Sequence, residues 1–127
     1  MFSWRRPDNL GVTNGRFARC KRSPNCVSSQ ADPSDREHYI APIAYAGSMA
    51  ELRKLIESLP LATVIRAEGN YLYAEFRTPI LRFIDDVEFL LAENMIHVRS
   101  ASRLGRRDFG ANRKRIEALR ALMRALG

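Results

Sequence analysis

Between Ala62 and Ser102 four strand-like runs are separated by turn residues: ATVIRAE, Gly69-Asn70, YLYAEFRT, then RFIDDVEFLLA, Glu93-Asn94 and MIHVRSAS. Alternation of apolar and polar residues between such turns predicts two successive hairpins and an antiparallel meander. Successive side chains of a strand point to opposite sides, so the pattern also assigns faces. Leu72, Ala74 and Phe76 oppose Tyr71, Tyr73, Glu75 and Arg77. Phe83, Asp85, Val87 and Phe89 oppose Ile84, Asp86, Glu88 and Leu90. Ile96, Val98 and Ser100 oppose His97, Arg99 and Ala101.

Two helical patterns flank the meander. In SMAELRKLIESLP, Ser48 and Glu51 form a capping-box pair, Leu52, Leu55, Ile56 and Leu59 make one stripe, and Pro60 ends the helix. Near the C-terminus Ile116, Leu119, Met123 and Leu126 recur at helical spacing, and Asp108 or Asn112 can cap the start. HYIAPIAY reads as a short strand that Pro42 confines to a sheet edge or a bulge. Residues 1–40 lack periodicity, yet Phe2, Trp4, Leu10, Phe17, Cys20, Cys26 and Val27 are too apolar for a free tail. The expected architecture is therefore α+β: an antiparallel sheet of about four to five strands, two helices on one face, and an ordered N-terminal arm over residues 1–40 packed on a domain of residues 41–127. With 127 residues in all, this is one domain overall.

Charge is unevenly placed. The formal net charge is +7. Arg99, Arg103, Arg106, Arg107, Arg113, Lys114, Arg115, Arg120 and Arg124 are opposed locally only by Asp108 and Glu117. Such a concentration attracts phosphate, carboxylate, nucleic acid or acidic lipid. No apolar run approaches the ~20 residues of a transmembrane helix. MFSWRRPDNLG lacks the apolar core of a signal peptide, so the cytoplasm is the expected compartment.

Three clusters carry chemistry. Cys20 and Cys26 flank a Ser-Pro-Asn turn. Two packed thiols are the reading for a cytosolic protein; a disulfide closing a short loop is the alternative. The spacing fits neither a redox Cys-x-x-Cys nor a zinc module. Asp85, Asp86 and Glu88 crowd one strand, where they can pair with Arg99 or His97 on the next strand, bind a hard cation, or act as acid and base. Asp85 falls on the core face and needs a partner there, Arg103 or Arg113 being the candidates. Finally, RSASRLGRRDFGANR brings arginine forks, hydroxyls and a helix start together, the ingredients of an anion site.

RPDNLG, SPNCVSSQ, DDVEF and above all HVRSASRLGRRDFGANRKRIEALR resemble the domain of unknown function family 1499, over nearly the whole chain. That resemblance implies no reaction, cofactor or catalytic residue. It implies only that Cys26, Ser28, Ser29 and Gln30, with Asp85, Asp86 and Glu88, and with Arg99, Ser100, Ser102, Arg103, Gly105, Asp108, Asn112 and Arg113, match the family's signature blocks.

Four functions remain open on these residues. The first is a module binding an anionic small ligand through Arg99, Ser102, Arg103, Asn112 and Arg113. An enzyme without a cofactor would use Asp86 or Glu88 as base and His97 as acid, although arginine pairing moves carboxylate pKa values away from what that chemistry needs. Nucleic-acid binding ranks below both; Tyr71 and Tyr73 offer stacking platforms, but no RNP signature is present. A structural or partner-binding role through a sheet edge completes the set. No metal site and no nucleotide fingerprint is present, and nothing selects an oligomeric state.

Overall fold

The hairpins form where the alternation is clearest. The structure, a computed structural model, describes residues 5–105 and 107–126; Phe2, Trp4 and Arg106 of the readings above lie outside it. In chain order the elements are β1 (Cys26–Ser28), β2 (Ile43–Ala44), α1 (Met49–Glu57), β3 (Ala62–Glu68), β4 (Tyr71–Arg77), β5 (Ile84–Ala92), β6 (Met95–Ser102) and α2 (Ala111–Leu126). The turns fall at the expected residues, with Gly69 at φ 53° and Asn94 at φ 59°. Those are left-handed angles, which glycine and asparagine adopt at least cost.

The sheet is open and antiparallel, ordered β1-β6-β5-β4-β3, with β2 also pairing β6. The fold class is thus α+β as the patterning predicts, with two very short strands added beyond the meander. The strand expected over His38–Tyr45 shrinks to Ile43–Ala44, after Pro42, with Tyr39 making a single parallel bridge to Ser28. Proline cannot donate to a ladder, so pairing begins only beyond it.

One face of the sheet carries the core. Leu72, Ala74, Phe76, Val87, Phe89, Ile96 and Val98 are buried there against Leu52 and Ile56 of α1 and Ile116, Leu119 and Met123 of α2. The Ser48–Glu51 capping box is present. Leu126, expected to face the sheet, is 68% exposed at the final turn of α2.

Asp85 sits among these apolar residues as its alternation requires. Its partner is Arg115 of α2, Nη2 to Oδ2 at 2.7 Å, and neither Arg103 nor Arg113. Arg103 leaves β6 toward the opposite face, while Arg113 reaches the carbonyls of Arg36 and Glu37. Burial pushes the Asp85 carboxyl up, and the Arg115 charge opposes that push.

Register decides one further feature. Between Val64 and Arg66 the pairing of β3 with β4 shifts by one residue. Val64 lies opposite Ala74 on the helix side, but after the bulge Arg66 lies opposite Tyr73 on the other side. A one-residue slip moves a side chain to the other face. The slip brings the Arg66 guanidinium over the Tyr71 ring, 5.2 Å from its centroid.

Candidate functional site

Alternation puts Tyr71, Tyr73, Glu75, Asp86, Glu88 and Arg99 on the face away from the helices. That face is polar, but the N-terminal segment closes over it. Phe17 is buried with Tyr71 and Tyr73, and Leu10, Val12 and Leu90 pack around them. Tyr71 and Tyr73 are therefore core residues rather than stacking platforms. Each hydroxyl donates to a carboxylate, Tyr71 to Glu88 and Tyr73 to Asp86. Burial and these acceptors push both phenol pKa values far up, so the tyrosines keep their protons and donate, while their oxygens also accept from Gly11 N–H at 3.1 Å and Arg103 Nη2 at 3.2 Å.

Strand pairing explains the charges beneath the arm. Glu75 lies directly opposite Asp86, and Glu88 opposite Arg99. Two like charges facing one another are destabilising. Arg103, from the end of β6, resolves the conflict with one guanidinium. Its Nε and Nη2 donate to Asp86 at 2.9 and 2.8 Å, and Nη2 also donates to Glu75 at 2.7 Å. Arg6 of the arm donates to the same Glu75 oxygen, Oε2, at 2.7 Å. Burial pushes the Glu75 carboxyl up, but hydrogen bonds from Arg6 and Arg103 outweigh it and leave the group below its ordinary value.

The neighbouring row is less well satisfied. Glu88 Oε2 accepts from the Gly11 backbone N–H at 2.7 Å, but Glu88 Oε1 has no hydrogen-bond partner among the described residues. Arg99 Nη1 stands 3.7 Å from that oxygen, Arg99 Nη2 donates to the Arg19 carbonyl at 3.4 Å, and Arg99 Nε has no partner among the described residues. The Arg99 side chain is only 7% exposed. Desolvation lowers the Arg99 pKa and raises that of Glu88, each disfavouring the charged form.

Beside this row lies a cavity of about 360 Å³ lined by Arg5, Lys21, Arg99 and Arg103, with Ser23, Asn25 and Ser102 among its polar wall residues. Its lining includes one carboxylate, Asp86, which Arg103 already engages. Cys26 also lines it and is disulfide-bonded to Cys20, with Cα atoms 5.6 Å apart. Of the two readings left open for the cysteines, the structure has the disulfide and not the packed thiols. The bond closes the loop that carries Lys21, Ser23 and Asn25. His38 ties the same loop down, its ring lying between Asp35 Oδ2 at 2.8 Å and the Ser23 carbonyl at 3.1 Å.

Arg99, Ser102 and Arg103 thus meet at one cavity, while the other two residues grouped with them do not line it. Asn112 is fully buried on the helix side. It accepts from Ser100 Oγ at 2.6 Å and donates to Ser102 Oγ at 2.8 Å and to the Asn25 carbonyl at 3.2 Å. It fastens α2 to the strands, and Asp108 accepts from the Gly110 and Asn112 backbone at the start of that helix. Arg113 holds the 36–37 backbone. His97 lies further along the arm-side face, with Nδ1 3.0 Å from Ser29 Oγ. Burial, with the nearby Arg16 charge, holds its pKa below the ordinary histidine value. Among the described residues no group of His, Cys, Asp and Glu is placed to hold a metal ion, and no helix is long and apolar enough to cross a membrane.

Sequence reasoning missed Arg5, Lys21, Asn25 and Glu75 as neighbours of the site. Asn25 stood in a stretch legible only as a turn, and the two cations carry no local signal of which sheet face they will cover. In comparison with known proteins, a family model described as "Protein of unknown function (DUF1499)" matches residues 16–123. No curated protein and no solved structure matches the chain.

Proposed function

The chain belongs to that family, whose description names no activity, and we propose that this protein binds a small anionic ligand in the cavity between the arm and the sheet. The observation that carries the reading is Arg99, a buried guanidinium on the cavity wall whose Nε–H finds no acceptor among the described residues. A buried charged donor left unmade costs more than an ordinary lost hydrogen bond. An oxyanion in the cavity relieves that cost, and a guanidinium fork suits carboxylate or phosphate geometry. Lys21 and Arg5 at the wall add positive potential. A volume of about 360 Å³ falls in the range of small-molecule sites. The disulfide supports an oxidising working compartment in place of the cytoplasm.

The test is thermal unfolding against inorganic phosphate, pyrophosphate, citrate and a set of sugar phosphates. At least one should raise the melting temperature in a saturable way, because a ligand at a hundred times its Kd stabilises by about 2.7 kcal/mol. The double variant Arg5→Gln/Lys21→Gln should fold normally, since both residues are exposed, and should respond only at higher concentration. A flat response across the panel, with no bound species in native mass spectrometry, overturns the reading.

A further inference from the structure

A second feature lies on the other side of the β6–α2 connection and does not depend on the anion cavity. Ile80 is 90% exposed, Leu81 67% and Phe109 87%. Single exposed apolar residues need no explanation. These three, however, come from two loops that line one cleft of about 390 Å³, together with Pro79, Phe83 and Leu104.

Neither loop holds its apolar residue in water by being loose. In the β4–β5 connection, Thr78 N–H donates to the Phe83 carbonyl at 2.8 Å. Arg82 N–H donates to the Thr78 carbonyl at 3.1 Å, and Phe83 N–H to Thr78 Oγ1 at 2.9 Å. The turn is closed, and it presents Ile80 and Leu81 at its tip. Phe109 has φ 53°, a left-handed angle that a bulky side chain adopts only at a cost and that glycine or asparagine adopts freely. Phenylalanine there is unfavourable for the backbone and unfavourable in water. Local conflicts of this kind concentrate at functional positions.

The surrounding charge identifies what the tips meet. Arg77, Arg82 and Arg107 flank them and are exposed, and none makes an ion pair among the described residues. Arg107 lines the cleft with Asp85 and Asp108, whose carboxylates are held by Arg115 and by the start of α2. Apolar tips with such cations beside them match the boundary between acyl chains and anionic headgroups. We propose that the Pro79–Leu81 and Phe109 loops dock the protein peripherally on an anionic lipid surface, the apolar side chains entering the interface and the three arginines contacting headgroups.

The experiment is vesicle co-sedimentation of the full chain, on phosphatidylcholine alone and on phosphatidylcholine mixed with phosphatidylglycerol. Binding to the anionic vesicles should exceed that to neutral ones by on the order of tenfold or more. Ile80→Ser/Leu81→Ser/Phe109→Ser should abolish it with the melting temperature preserved. Phe109→Gly should weaken binding while leaving the melting temperature equal or higher, the opposite of what loss of a folding contact would do. Arg77→Gln/Arg82→Gln/Arg107→Gln should remove the preference for anionic lipid. Arg5→Gln/Lys21→Gln, which tests the anion cavity, should leave vesicle binding unchanged. Failure to bind either vesicle overturns the proposal. So does undiminished binding by the triple serine variant, or concentration-dependent dimerisation that this variant removes, which would make the patch a contact between copies.

Discussion

Arg103 shows how much of this fold rests on single charged side chains. Glu75 and Asp86 face each other across β4 and β5, and its guanidinium donates to both. Arg103→Ala leaves two buried carboxylates without that cation. The expected loss in chemical denaturation is about 3–5 kcal/mol, the usual result of breaking a buried pair from one side. Arg103→Lys should recover only part of it, because a point charge cannot make the forked contacts. A loss under about 1 kcal/mol would mean that Arg6 alone neutralises the row, since exposed pairs contribute no more than that. His97 supplies a pH prediction whose sign follows from its depressed pKa. As pH falls, the unfolded chain takes up this proton before the folded one does. Stability tied to neutral His97 is therefore complete above about pH 6.5 and is lost as pH falls below it. His97→Gln, which keeps a hydrogen-bonding group beside Ser29, should lose less stability than the wild type between about pH 7 and pH 5. Equal losses would place the acid sensitivity in other groups.

At the scale of elements, the helices and hairpins follow local rules while the arm follows none. α1 has its capping box and its stripe, and β3 to β6 have alternation and turn residues of the right kind. The arm is held by particular contacts: Arg6 to Glu75, Gly11 to Glu88, Phe17 N–H to Gln30 Oε1 at 2.8 Å, and the disulfide. The closed loop is short, so the chain-entropy contribution of the Cys20–Cys26 bond is about 2 kcal/mol. Reduction, or Cys20→Ser/Cys26→Ser, should lower stability by that amount. It should weaken any anion response by more than the stability loss explains, because Lys21, Ser23 and Asn25 lie in that loop. An anion response that survives reduction intact would show that the loop holds its shape without the bond.

Across the whole molecule, one sheet separates an apolar core from a charged, arm-covered layer, and amide exchange should report the two as differently stable. Amides of β5 and β6 should exchange most slowly, being interior to the sheet. The Gly11 and Phe17 amides should be slowed by their carboxylate and amide acceptors, and a bound anion should slow Lys21–Asn25 further. Fast exchange at Gly11 would mean that the arm opens independently of the sheet. By itself the sequence determined the four long strands, their facing, both helices and the helix-side core, because period two, period 3.6 and turn chemistry are local signals. It also marked Arg99, Ser102, Arg103, Asn112 and Arg113 as one group, of which only the first three line the cavity. What only the tertiary structure decided was the pairing. Asp85 takes Arg115 from a helix, Asp86 takes Arg103, Asn112 serves the helix-side network, and the arm buries the tyrosines that alternation alone leaves on an open face. No periodicity encodes those choices. They depend on which distant groups desolvation brings together, and a buried charge accepts whichever partner the chain's path delivers to it.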